Sequence, residues 1–337
     1  MPFTVITGSL GAGKTSLLNH LLTGGHGRRL AVIVNDFGEI NIDSQLIARS
    51  GNDYVLELTN GCVCCTVQED LLRGLHDLLE ARLSGRFDFD HLVMETTGLA
   101  KVGPIVQTVS AKTFRETVRI SGIVTVVDAF HVLAQIDTFQ EAGEQIGHAD
   151  LVLLNKTDLV DDAKLSALTA RLSAMNGLAE IKPCLRAKVD AAEALFPAAH
   201  REDAVSVNLN FPEGPGASAT LLNEYDHSHT SFDEIRSFSI RLSEPLDHGR
   251  VQDWFSYLIM RYSERLLRYK GILHIEGLAP RIVVQGVHSL IEITSGREWR
   301  QDENRQTVVV FIGRNLPERQ IRDGLAQCVA VERHTAE

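Results

Sequence analysis

The chain is poor in basic residues, aromatics and cysteines, and has no long apolar run. Lys and Arg number 33 against 44 Asp and Glu, giving a formal charge of −11. That balance leaves no electrostatic footprint for a nucleic-acid backbone or an anionic membrane surface. No Lys/Arg run and no basic patch interleaved with aromatics offsets it. No apolar stretch reaches the roughly 18 residues that a membrane-spanning helix needs. Met1–Thr7 carries no charged region and runs straight into a glycine-rich loop, so a signal peptide is not expected. The cysteines number 5, odd and clustered, which argues against a secreted disulfide framework. The expectation is a cytoplasmic protein without nucleic-acid or membrane partners. Hydrophobic residues at 44% and charged residues at 23% are globular values, and 337 residues suggest two domains.

What is present begins at the N-terminus. Phe3–Thr7 reads as a short buried strand, and Gly8-Ser9-Leu10-Gly11-Ala12-Gly13-Lys14-Thr15 follows it. Next come Leu17, Leu18, Leu21 and Leu22, on one face of a helix that Gly24-Gly25 ends. Strand, G-x-x-x-x-G-K-[ST] and helix together make a phosphate-binding loop. Gly8, Gly11, Ala12, Gly13, Lys14, Thr15 and Ser16 would cradle a nucleotide, with Lys14 on the β/γ-phosphates and the Thr15 hydroxyl on Mg²⁺. Leu30–Val34 is a second strand that delivers Asn35-Asp36-Phe37-Gly38-Glu39. Asp36 could hold Mg²⁺ or its water shell, and Glu39 sits where a GTPase has its first switch; each could equally be a solvated loop acid. His91–Met94 ends in Glu95-Thr96-Thr97-Gly98, where Glu95 takes the Mg²⁺-polarising role and Gly98 can bond the γ-phosphate through its N–H. Lys14, Thr15, Glu95 and Asp36 are therefore the candidate catalytic residues.

Ile120–Val127 is another core strand, with Asp128 at its carboxyl end. Leu151–Leu154 leads into Asn155-Lys156-Thr157-Asp158. The Asp158 carboxylate can accept from guanine N1–H and N2–H₂, while the Lys156 stem lies along the base. Adenine has no such donor pair, so the nucleotide should be GTP.

Between these motifs lie Cys62, Cys64 and Cys65, after Gly61 and just before a helix that Thr66 and Glu69 would cap and Leu71, Leu75 and Leu78 would bury. The positive end of a helix favours thiolate, the form that binds metal. Three soft donors are one short of a closed tetrahedral zinc site, and water, a client residue or Glu39 could supply the fourth. The alternatives are three small buried apolar residues or a redox pair at Cys64 and Cys65, although adjacent cysteines form a strained disulfide.

In this order and spacing, Gly8–Thr15, Asn35–Glu39, Gly61–Cys65, Glu95–Ala100 and Asn155–Asp158 resemble the CobW-like P-loop GTPases, a metallochaperone family related to the urease and hydrogenase maturation GTPases. The resemblance covers essentially the whole chain, and Gly-Cys-x-Cys-Cys is its most specific mark. It implies an α/β fold in which a P-loop GTPase domain with a mostly parallel sheet precedes a smaller α+β domain. It also implies slow intrinsic GTP hydrolysis and a divalent metal, Zn²⁺ or Co²⁺, on Cys62, Cys64 and Cys65, often with Glu39. This chain departs from the family at Ser9, at Asp36 and at Lys101-Val102-Gly103-Pro104.

The expected division is 1–207 for the GTPase domain, 208–231 for a linker and 232–337 for the C-terminal domain. The linker carries Asp226, His227 and His229, a solvated stretch or a transient metal site. In the last third, Phe238–Leu242, Gly271–Ile275, Arg281–Val287 and Thr307–Ile312 read as strands. Val251–Leu267 reads as a long amphipathic helix, and Pro317 opens a final helix through Leu325. His274 and His288 read as structural, and Cys184 and Cys328 as core thiols. The functional expectation is a GTP-gated carrier that delivers metal to a client metalloprotein; the alternative is a GTP-dependent activator that works by conformational switching without carrying metal. No motif fixes the oligomeric state.

Overall fold

The computed structural model describes residues 1–24, 27–35, 54–58, 66–111, 113–114, 116–197 and 234–330. Asp36, Glu39, Cys62, Cys64, Cys65, His227 and His229 lie outside the described residues. The chain divides into two compact units, Met1–Ser173 with Ala179–Arg201, and Ala174–Leu178 with Glu202–Glu337.

The first unit alternates strand and helix: β1 (Pro2–Thr7), α1 (Lys14–Thr23), β2 (Leu30–Asn35), β3 (Tyr54–Leu58), α2 (Thr66–Leu83), β4 (His91–Glu95), α3 (Val102–Val109), β5 (Arg119–Asp128), α4 (Val132–Thr138), α5 (Gln140–His148), β6 (Leu151–Asn155), α6 (Asp162–Met175), β7 (Glu180–Pro183) and α7 (Ala191–Leu195). Among the described residues its strands form one sheet in the order β3-β2-β4-β1-β5-β6-β7. Every neighbouring pair in it is parallel. Strands covered on both faces read as continuous apolar runs rather than alternating ones. β4 and β6 are buried at every position, and β5 at all but Arg119. Leu17, Leu18, Leu21 and Leu22 of α1 join Ile6, Val32, Val93, Val124 and Leu153 in the core.

A parallel sheet puts all its strand ends of one kind on one edge, and its ligands bind beyond the carboxyl ends where the strand order reverses. Here β1 lies between β4 and β5, with Ile6 beside Glu95 and Thr7 beside Thr125. Across β5 and β6, Asp128 faces Asn155. The loops carrying the phosphate and guanine motifs thus leave neighbouring strands on the same edge.

The second unit holds β8 (Ile235–Leu242), α8 (His248–Tyr262), β9 (Leu266–Leu273), β10 (Pro280–Val287), β11 (Leu290–Glu298), β12 (Thr307–Arg314) and α9 (Glu318–Ala326). Its antiparallel sheet runs β11-β10-β9-β12-β8. Val251, Phe255 and Leu258 of α8 and Ile321 and Leu325 of α9 pack with Tyr269, Val309 and Phe311. The Asp247 side chain caps α8 by accepting from Arg250 N. The amphipathic helix stops at Tyr262 rather than Leu267; the apolar spacing that carries on to Leu266 belongs to β9, where Leu266 is fully buried. β11 was not expected from the sequence. The His288 ring is bonded to the Ser263 carbonyl at 3.0 Å, a structural role.

Candidate nucleotide site

The loop from Gly8 to Gly13 carries the chain from β1 into α1. At Gly8 φ is +137°, and a Cβ there would overlap the Val126 carbonyl oxygen on β5, so both backbone conformation and space require glycine. Ala12 N donates to Ser9 O at 3.2 Å and closes the turn. Gly11 and Gly13 also have positive φ, and Gly13 precedes the first residue of α1, so the positive end of the helix opens into the loop. Lys14 is 6% exposed, and its ammonium donates to Ser9 O at 3.2 Å, across the mouth of its own loop. The Thr15 hydroxyl donates to Glu95 Oε1 at 2.7 Å. Ser16 is exposed on the first turn of the helix.

Glu95 is buried at the end of β4, and the chain beyond it stays against the phosphate loop. Thr96 N donates to Ile6 O at 3.0 Å, and the Thr96 hydroxyl to Thr7 Oγ1 at 2.9 Å. A Cβ on Gly98 would lie 2.6 Å from Leu10 N, so any side chain there would displace the loop.

The guanine side is built from three strand ends. Asn155 is 3% exposed; its Nδ2 donates to Ala12 O at 2.9 Å and its Oδ1 accepts from Ala187 N at 2.9 Å. One side chain therefore fastens the phosphate loop to the turn after β7. That turn holds Arg186 and Ala187 at positive φ, and the Cys184 carbonyl in it accepts from the Thr157 hydroxyl at 3.2 Å. Lys156 is itself left-handed, with φ +60°, a conformation that ordinary residues adopt rarely and mostly at sites that need it. Its ammonium meets Asp128 Oδ2 at 2.8 Å. Asp128 also accepts from Phe130 N at 2.9 Å and pairs with His131 Nδ1 at 3.1 Å. Burial pushes its carboxyl up, but the bonds from Lys156, His131 and Phe130 outweigh burial and hold it below its ordinary 3.8. Burial raises the Cys184 thiol to about 11. Asp158 stands exposed on a short 3-10 turn, Thr157–Leu159.

The structure thus gathers Gly8, Gly11, Ala12, Gly13, Lys14, Thr15, Ser16, Glu95, Gly98, Asn155, Lys156 and Asp158 along one sheet edge. Sequence reading passed over Asp128 as a strand end and missed Ala187. Asp128 had one signal, its place at the carboxyl end of a core strand; Ala187 had none. Thr15 and Glu95 offer hard oxygen donors, which suit Mg²⁺. Among the described residues, His76, Asp77 and Glu80 could also hold a metal ion, all three exposed on α2. No helix among the described residues is long and apolar enough to cross a membrane.

A phosphate loop at the reversal of strand order, a hydroxyl–carboxylate pair beside it and an Asn-Lys-x-Asp turn two strands away define a P-loop protein of the GTPase type. The family model described as CobW/HypB/UreG, nucleotide-binding domain, matches residues 2–183. The cobalamin synthesis protein cobW C-terminal domain model matches residues 235–329. The chain belongs to the CobW family. It is 36% identical over 327 residues to the zinc chaperone YjiA of Escherichia coli (strain K12), covering 96% of this chain and 97% of that one. The crystal structure of Zn(II)-bound YjiA GTPase from E. coli superposes with a TM-score of 0.77 at 33% identity, over 98% and 99% of the two chains. A zinc-regulated GTPase metalloprotein activator 1 from Schizosaccharomyces pombe (strain 972) is 38% identical over 188 residues, covering 54% of this chain and 45% of that one.

Proposed function

We propose that the chain is a GTP-hydrolysing metallochaperone that takes up zinc, or failing that cobalt, at Cys62, Cys64 and Cys65 and passes it to a client metalloprotein under control of the bound nucleotide. The observation that carries this reading is the Thr15–Glu95 pair, set beside a phosphate loop that Asn155 ties to the guanine-reading turns. One relative, named as a zinc chaperone and solved as a zinc-bound GTPase, supports the choice of cargo.

The geometry of the strand ends supports the nucleotide half of the reading. GTP would enter with its base between Lys156 and Asp158 and its phosphates over the α1 N-terminus. The Lys14 ammonium would leave Ser9 O for the β/γ-phosphates, and the backbone N–H groups of Gly11 to Thr15 would receive the rest of the charge. Thr15 and Glu95, with Asp36, would hold Mg²⁺, which neutralises charge developing on the phosphates. With Glu95 engaged by Thr15, and Asp36 assigned to the Mg²⁺ shell, no strong base among the described residues is set aside for the attacking water. Hydrolysis is then slow until a client or the cargo metal completes the site.

The metal half rests on the three thiols preceding α2, whose N-terminus favours thiolate. Three ligands leave a position open, so that metal can load and leave, and Glu39 in the first-switch segment is the proposed nucleotide-sensitive fourth donor. Metal affinity and GTP affinity are then reciprocally linked, with a coupling of ~1–3 kcal/mol, about 5- to 150-fold. Titration of Zn²⁺ and Co²⁺ into protein holding GDP or a non-hydrolysable GTP analogue tests this: equal affinities in the two states would sink the gating. The similarity to a metalloprotein activator favours a second reading, activation of a client by conformational switching without metal transfer. Replacing Cys62, Cys64 and Cys65 with Ser separates them, since client activation survives only under the second reading.

A further inference from the structure

Gln145 lies in α5, outside every motif, yet it is 1% exposed and bonded to the loop after Glu95. Its Nε2 donates to the Gly98 carbonyl at 3.2 Å and to the Ala100 carbonyl at 3.0 Å. Carbonyl oxygens only accept, so both demand the amide nitrogen, and this fixes which way the side chain faces. Its own backbone is held as well, because the Thr125 hydroxyl of β5 donates to the Gln145 carbonyl at 2.7 Å. Gln145 is therefore a fixed post bracing both ends of the turn that contains Gly98.

The turn leaves buried polar groups unmatched. Gln145 Oε1 is buried and has no hydrogen-bond partner among the described residues, and the same holds for the Thr97 hydroxyl, in a residue 8% exposed. Unpaired buried polar atoms are costly and uncommon, and two of them flank one short turn. What the turn secures instead is the position of Gly98, which passes so near Leu10 of the phosphate loop that a Cβ on it would have no room.

We infer that Gln145 is a positioning residue for the triphosphate: by holding the carbonyls of Gly98 and Ala100 it presents the Gly98 N–H to the γ-phosphate, so that the protein distinguishes GTP from GDP through α5. The assignment rests on the GTPase reading above. It concerns the third phosphate alone, since the base and the first two phosphates are met by other residues.

The test compares the unsubstituted protein with Gln145→Met, which fills the same space without donors, and with Gln145→Glu, which has the same shape but sets an acceptor against the two carbonyls. For each, affinities for GDP and for a non-hydrolysable GTP analogue are measured with Mg²⁺, alongside melting temperature. Both variants should bind the GTP analogue about tenfold more weakly, as expected for lost buried hydrogen bonds, while GDP affinity stays within about twofold. Equal weakening of both nucleotides, or no change in their ratio, would overturn the assignment and leave Gln145 a structural brace. Amide exchange on the unsubstituted protein gives an answer even where the variants do not fold. The segments 97–101 and 141–147 should exchange more slowly with the GTP analogue than with GDP, and identical exchange would overturn the inference. If the unsubstituted protein bound neither nucleotide, the GTPase reading would fall and this assignment with it.

Discussion

Asn155 is the most exacting place to perturb the first unit, because one buried side chain serves two loops. In Asn155→Ala, Ala12 O loses its donor and Ala187 N loses its acceptor, both at 2.9 Å. A buried polar group left unmatched costs ~1–3 kcal/mol, so two of them, partly relieved by entering water, should remove about 2–4 kcal/mol. For a unit of this size each kcal/mol lowers the melting temperature by roughly 2–4 °C, so a loss of about 5–15 °C is expected in the transition of the nucleotide-binding unit. Asn155→Asp sharpens the test: its carboxylate can still accept from Ala187 N but sets an oxygen against Ala12 O, so only the phosphate-loop arm is cut. Both variants should weaken GDP by about tenfold or more, since the free loops must then be ordered by the ligand itself. Calorimetry with and without GDP, together with fluorescent-nucleotide titration, reads both quantities. A melting temperature lowered by less than about 1 °C with unchanged GDP affinity would refute the idea that this side chain holds the two loops together.

Three further outcomes are expected. Glu95→Gln keeps an acceptor for the Thr15 hydroxyl but removes the charge; GTP turnover should fall about 100-fold while GDP binding without Mg²⁺ changes little, as steady-state kinetics and titration would show. Asp128→Asn should weaken guanine nucleotides about fivefold by releasing Lys156, an estimate reduced because the ammonium is partly exposed. The Asp128 carboxyl is held below 3.8 in the folded protein, so its contribution to stability is complete above that value and is lost as the pH falls through the lower folded value. Melting curves of the two proteins should therefore converge in acid. With Cys62, Cys64 and Cys65 replaced by Ser, the remaining thiols are Cys184 and Cys328, both buried and raised to about 11. At pH 8 roughly one in a thousand is thiolate, so a disulfide reagent should count no fast thiol until denaturant is added.

Local signals carried much of this structure. The phosphate loop was legible because its glycines, Lys14 and Thr15 occur between an apolar strand and a leucine-faced helix. The parallel sheet was implied by the family resemblance that this loop and the other motifs carry. What escaped reading arose from contacts between distant segments. Gln145 looks like any polar residue on a helix surface, and only the packing of α5 against the turn after β4 gives it a role. In the second unit, a four-residue apolar rhythm continues from Trp254 through Leu258 and Tyr262 to Leu266, across a helix end that Ser263-Glu264-Arg265 does not announce. The strand β7 ends at Pro183, just before a turn in which Arg186 and Ala187 take positive φ and Ala187 N meets Asn155.

The Asn155 bridge also limits what the nucleotide can say. On the proposed reading, the seat for the base and the seat for the first two phosphates are fastened through one buried amide, so they would move as a single part. The guanine would then serve as an address, telling the protein only which molecule has arrived. Any message would be written in the last phosphate, the one feature that differs between the two forms of the ligand. A substitution on the address side would silence the protein altogether, whereas one on the message side would leave it bound and unable to tell before from after.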